Sequence, residues 1–137
     1  MSGITVKRSI GVRVIVSEEF KEDLKNELQE AATETQRRID QMEMNSRRLL
    51  ADLQRTDLSQ AMQARRQIEA ERQRHDALKQ DIQRQLQEVD KLEIGGEYPR
   101  GTVEGVVELQ QGDDLVQKLS GSQIVVKDGV IVEIRET

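Results

Sequence analysis

The chain has 137 residues, 34% of them charged and 35% hydrophobic, with aromatics at only 1% and a net charge of −5. With no cysteine and no tryptophan, and a single Phe, Tyr, Pro and His, it cannot form a disulfide scaffold, a thiolate metal site, a cysteine nucleophile or an aromatic base-stacking platform. Few large side chains beside many Glu, Gln, Arg and Lys read as long, surface-rich helices rather than one globular core.

Residues 4–16 alternate. Ile4, Val6, Ile10, Val12, Val14 and Val16 fall at even positions, with Arg8 the exception, which predicts a strand. Ser17 then precedes Glu18 and Glu19, an N-cap followed by first-turn acids that the helix dipole favours. From there to Glu93 there is neither glycine nor proline, and good helix formers dominate. A single rod of that length would reach about 115 Å at ~1.5 Å per residue.

Residues 17–93 are expected instead to fold back near 55–58, where Arg55-Thr56-Asp57 interrupts the pattern and Asp57 stands three residues before Gln60. The first arm then offers Leu24, Leu28, Ala31, Thr35, Ile39, Met42, Ser46, Leu49 and Leu53 to a seam. The second offers Ala61, Ala64, Ile68, Arg72, His75, Leu78, Ile82, Leu86 and Val89. Large residues mostly meet small ones across it, and paired four-residue steps at 31-35-39 and 78-82-86 lie opposite each other.

The last segment, 94–137, holds seven of the nine glycines. A turn at Pro99-Arg100-Gly101 leads into a strand over 103–109, and Asp113 caps a short helix over 113–119. Strands 122–127 and 130–135 flank Asp128-Gly129, a pair suited to a type I′ hairpin turn. Strand 4–16 needs partners, and within the chain these lie only after residue 94. The expected fold is therefore α+β: a long antiparallel coiled-coil helical hairpin, 17–93, inserted after the first strand of a small, mostly antiparallel β domain built from 1–16 and 94–137.

Candidate sites are few. His75, the one histidine, occupies a seam position, and a two-helix seam offers no concave pocket for acid–base work. Asp113-Asp114 reads as a helix cap rather than a cation site. The glycines match no phosphate loop. No catalytic, cofactor or metal residue is expected, and no enzyme. Residues 36–75 carry nine arginines against six acids. In a hairpin, Arg47, Arg48, Arg55, Arg65 and Arg66 gather toward the bend, a pattern suited to an anionic partner. The plainer reading is a solvated face with i to i+4 pairs such as Arg48 with Asp52 and Arg65 with Glu69.

The run Ile124-Val125-Val126-Lys127-Asp128-Gly129-Val130-Ile131-Val132-Glu133-Ile134-Arg135 resembles the closing motif of the YlqD family. Gly101-Thr102-Val103-Glu104-Gly105, Gly112-Asp113, the charged helical region and the valine-rich first strand are similar in order and size. The resemblance implies the same architecture and a bacterial-type cytoplasmic context, and it carries no catalytic residue. The expected role is a non-enzymatic protein-interaction or scaffold module presenting the arm, in the cytoplasm and without membrane insertion. The alternative is an RNA- or ribosome-associated factor using the basic outer half of the arm. A homodimer stays open.

Overall fold

The computed structural model describes residues 2–136, which form β1 (Gly3–Ile15), α1 (Glu18–Thr56), α2 (Leu58–Val89), β2 (Glu97–Gln110), α3 (Leu115–Leu119), β3 (Gln123–Lys127) and β4 (Val130–Arg135). They divide into two compact units. One joins the residues up to Glu22 with those from Leu92 onward, and the other is Asp23–Lys91.

The first unit is a four-stranded sheet of order β2-β1-β3-β4. β1 pairs antiparallel with β2, from Gly3 opposite Gln110 to Ile15 opposite Glu97. It pairs in parallel with β3, Val12 opposite Ile124 and Val14 opposite Val126. β3 and β4 form an antiparallel hairpin. Its turn places Asp128 at φ 47° and Gly129 at φ 84°, the two positive values that a type I′ turn requires.

β2 is longer than the sequence suggested. Glu97–Arg100 already pairs with β1, and Pro99-Arg100-Gly101 is no turn but an irregularity inside the strand. Two steps along β1, Gly11 to Arg13, face three along β2, Thr102 to Pro99. The extra residue makes a bulge, and Gly101 at φ 95° supplies the backbone that a bulge needs. The short helix also starts later, at Leu115, and its cap is Asp114, which accepts from the Gln117 N–H at 3.1 Å. Asp113 turns the other way and accepts from the Gln110 N–H at 2.8 Å, closing the turn that leaves β2.

Arg8, the exception to the β1 alternation, sits opposite Gly105, whose missing side chain leaves room that Ile10 fills. Its Nη1 donates to the Ser122 hydroxyl at 3.2 Å and to the Lys118 carbonyl at 3.4 Å, near the unsatisfied end of α3. These two bonds at Nη1 offset part of the cost of a half-buried charge on an apolar face, while its Nε is buried without a partner among the described residues. Ser17 caps α1 as expected, accepting from the Phe20 N–H at 3.1 Å, and its hydroxyl donates to Asp128 at 2.6 Å. The chain's one Phe and one Tyr meet here, with the Phe20 and Tyr98 rings 5.5 Å apart and tilted.

The second unit is the helical hairpin. Asp57 alone separates α1 from α2. Its extended backbone (φ −157°) breaks the helix, and its carboxylate accepts from the N–H groups of Ser59 and Gln60 at 3.1 and 3.2 Å. That satisfies two of the donors a helix start leaves free. The buried residues, Leu24, Thr35, Ile39 and Ser46 on α1 and Ala61, Ile82 and Val89 on α2, all lie at expected seam positions. Lys25 bridges to Asp90 at 2.9 Å, and Arg72 reaches Glu43 at 3.7 Å, tying the antiparallel arms together.

Part of the seam runs differently from the pattern. Ala31, Leu49 and Leu78 are exposed, and Ala32, Leu50 and Lys79 are half-buried in their place. The four-residue steps expected at 31-35-39 and 78-82-86 are therefore not followed. Adjacent alanines and adjacent leucines are indistinguishable by pattern, and a lysine can line a seam with its aliphatic stem while its charge stays in water.

Two outcomes follow from this packing. Cysteines placed at Leu24 and Val89, both buried at the base of the hairpin, should crosslink within one chain under mild oxidation, read by gel mobility at low protein concentration. Val125 is the most buried residue of the sheet, 1% exposed. Val125→Asp would strand a charge there and should cost about 3 kcal/mol or more, seen as a lowered thermal midpoint and weakened amide protection in β3 and β4.

Candidate interaction surface on the helical hairpin

The side chains that the fold leaves unused are concentrated on the half of the hairpin nearest its bend. Arg47, Arg48 and Arg55 lie on α1, Arg65 and Arg66 on α2, and all five are exposed. Among the described residues none of them has an ion-pair or hydrogen-bond partner, and Arg74 is alike. The i to i+4 pairs expected of Arg48 with Asp52 and Arg65 with Glu69 do not form. Glu69 binds Arg72 instead, at 3.2 Å.

Farther from the bend the pattern reverses. Arg37 and Arg38 both bind Glu34, at 2.7 and 3.3 Å. Arg84 binds Asp81, and also Glu88 at 3.5 Å. The hydrogen bond from Arg37 is the main cause that holds the Glu34 carboxyl below its ordinary range, and the bond from Arg84 does the same for Asp81. Glu34 stands three and four residues before its arginines and binds both, whereas Glu43, Asp52 and Glu69 stand within four residues of the doublets at 47–48 and 65–66 without pairing to them, and Arg72 binds Glu43 and Glu69 instead.

On the same half of the hairpin the seam opens into a groove of about 500 Å³. Its buried and half-buried lining is Met42, Ser46, Ala64, Ile68 and His75, and its exposed rim is Arg38, Gln41, Asn45, Leu49, Gln67 and Glu71. The opening arises because Ser46 and Ala64 are too small to fill the space between two helices. Exposed Met44, Leu58 and Met62 add apolar surface around the same half.

His75 lines the groove half-buried, with its Nε2 3.9 Å from Glu71. Among the described residues no group of three His, Cys, Asp or Glu could hold a metal ion. No helix is long and apolar enough to cross a membrane.

The sequence profile described as YlqD protein matches residues 4–135, nearly the full span of both units. The chain belongs to the YlqD family. Within it, the chain is 35% identical over 52 residues to Uncharacterized protein YlqD of Bacillus subtilis (strain 168), a match that covers 38% of this chain and 41% of that protein. The matched part is thus less than half of the relative's length. The fold is similar to a crystal structure of a protein of unknown function from Synechococcus sp. WH 8102, with a TM-score of 0.91 at 26% identity, over 98% of this chain and 96% of that one.

Because Glu34 and Asp81 hold protons less tightly in the folded chain than in the unfolded one, the stability they add is complete above the ordinary carboxylate range and is lost as pH falls from there through their lowered folded-state values. The thermal midpoint of the helical circular dichroism signal should therefore decline from about pH 5 to about pH 3. Glu34→Gln with Asp81→Asn should flatten that decline.

Proposed function

We propose that this chain is a non-enzymatic interaction module whose helical hairpin, packed as a coiled-coil arm, binds a protein partner. The observation that carries the reading is the apolar-lined groove at Ser46 and Ala64, on the half of the hairpin that also carries the exposed arginines without intrachain partners. A single amphipathic helix would fit such a groove, its apolar stripe toward Met42 and Ile68 and its acidic flanks toward Arg47, Arg48, Arg65 and Arg66. Zero cysteine suits a cytoplasmic setting.

A second reading rests on the arginines alone: binding of RNA phosphates along the outer half of the arm. Arginine binds phosphate through charge and paired N–H donors without reading sequence, and an extended basic arm needs no aromatic platform for that.

Two full-length variants separate these readings. One replaces Arg47, Arg48, Arg65 and Arg66 with Gln, removing +4 of charge while keeping helix formers. The other is Ala64→Glu, which puts a carboxylate into the groove and leaves those arginines in place. For an acidic helical partner, neither variant should retain the crosslinked proteins that wild type captures, with helicity unchanged. For RNA, only the arginine variant should bind more weakly in a salt series. Its salt slope should fall by up to ~0.7 for each phosphate that is no longer neutralised on a single strand. Capture and RNA affinity that are the same for wild type and both variants would overturn the assignment of this surface.

A further inference from the structure

The two open edges of the sheet are unlike. β2 carries Pro99, the Arg100-Gly101 bulge and the carboxylates Glu97, Glu104 and Glu108, features that discourage another strand from pairing there. β4 has no proline and no lysine, and its own bulge, where the two steps from Ile131 to Glu133 face the single step from Val126 to Val125 on β3, ends before Ile134. Val130, Ile131, Val132 and Ile134 are 63%, 56%, 54% and 65% exposed, an apolar edge strand left open.

The direction of its backbone follows from the turn. The two-residue Asp128-Gly129 loop closes on Lys127 and Val130, so alternate residues of β3 from there, Val125 and Gln123, bond to β4. Their partners are Glu133 and Arg135. Ile134, between those two, therefore turns its own N–H and C=O to the open side.

Glu133 and Arg135 share one face and opposite charge. Arg135 binds Glu133 at 3.1 Å and Glu97 at 2.8 Å, and Glu97 in turn stands 3.7 Å from Arg13. This is a row of alternating sign that runs out to the β4 edge. We propose that β4 is the edge through which two copies of this chain associate, pairing antiparallel about a two-fold axis at Ile134. In that register each Glu133 lies opposite the partner copy's Arg135, two pairs about the axis, so the charge row continues across it. Both Ile134 side chains meet on the other face, and their outward N–H and C=O groups bond each other. A strand that complements itself in this way favours a second copy over an unrelated strand. Because the β2 edges are blocked, the opposite outer strand offers no second site of this kind.

The test is the association state of the full chain by sedimentation equilibrium. Wild type should reach a dimer as concentration rises. Glu133→Lys and Arg135→Glu, each placing like charges opposite at both pairs, should weaken association about tenfold. An equimolar mixture of the two variants should recover it as a heterodimer, since each lysine then faces a glutamate. Ile134→Pro, which deletes the outward N–H and leaves the bonds to β3 in place, should weaken it as well. Amide protection at Val125 reports that each variant is folded. If Arg135→Glu fails that check because its bond to Glu97 is gone, the other two substitutions carry the test. A wild-type chain that stays monomeric to about 1 mM, where even millimolar affinities become visible, overturns the proposal. So does a dimer indifferent to Glu133→Lys and Ile134→Pro, or a mixture of the two folded charge variants no tighter than either alone.

Discussion

β1 cannot satisfy its own backbone. Thirteen residues of extended chain present N–H and C=O groups on both sides, and each unpaired group that is shielded from water carries a cost comparable to a missing hydrogen bond. The strands that meet this need, β2 and β3, both come after the helical insertion. The chain must therefore return to where it left the sheet. The return is secured by the Val16 N–H bonding to the Gly96 carbonyl and the Gly95 N–H to the Val16 carbonyl, both at 2.8 Å. Ser17 and Asp128 hold the start of α1 to the β3–β4 turn, and Lys21 donates to the Leu92 carbonyl at 3.0 Å.

That requirement explains why the insertion is a hairpin and why its bend can be so economical. A single residue, Asp57, ends one helix and caps the next. The arms then pack through a narrow seam that uses Thr35, Ser46 and Ala61 as readily as Leu24, Ile39 and Ile82. Small side chains let two helices approach, but where Ser46 and Ala64 fall near each other the seam is underfilled and a groove results. Charge follows a similar division. Glu34 and Asp81 neutralise Arg37, Arg38 and Arg84, while Glu43 and Glu69, spaced to meet the doublets near the bend, are taken by Arg72. The exposed ion pairs add little stability individually. What distinguishes the region near the bend is the set of charges left over.

Much of this was legible in the residues themselves. Period-two alternation marked β1, the absence of glycine and proline marked the helical span, Asp57 marked the bend, and Asp128-Gly129 marked the last hairpin, because each is a local signal set by backbone geometry. Where neighbours compete, local signals fail. Proline, arginine and glycine in succession read as a turn, yet β1 holds Glu97–Arg100 in register and absorbs the surplus residue as a bulge. Of two adjacent aspartates either could cap α3, and the closing of the β2 turn claimed Asp113 and left Asp114. Ala31 and Ala32 are equal by type, so only the facing helix could choose between them.

The arginine cluster shows the same boundary. Its residues were identifiable from the doublets, but whether Asp52 and Glu69 would neutralise them depends on rotamers and on competing partners such as Arg72. The meeting of Phe20 with Tyr98, the accommodation of Arg8 opposite Gly105 and the bared edge of β4 had no local signal. The sequence by itself determined the elements, their order and the need for the chain to turn back, since these rest on periodicity, capping and unpaired backbone within a few residues. Only the tertiary structure decided which side chains are used up in packing and pairing and which remain free to bind, because that depends on how segments tens of residues apart meet.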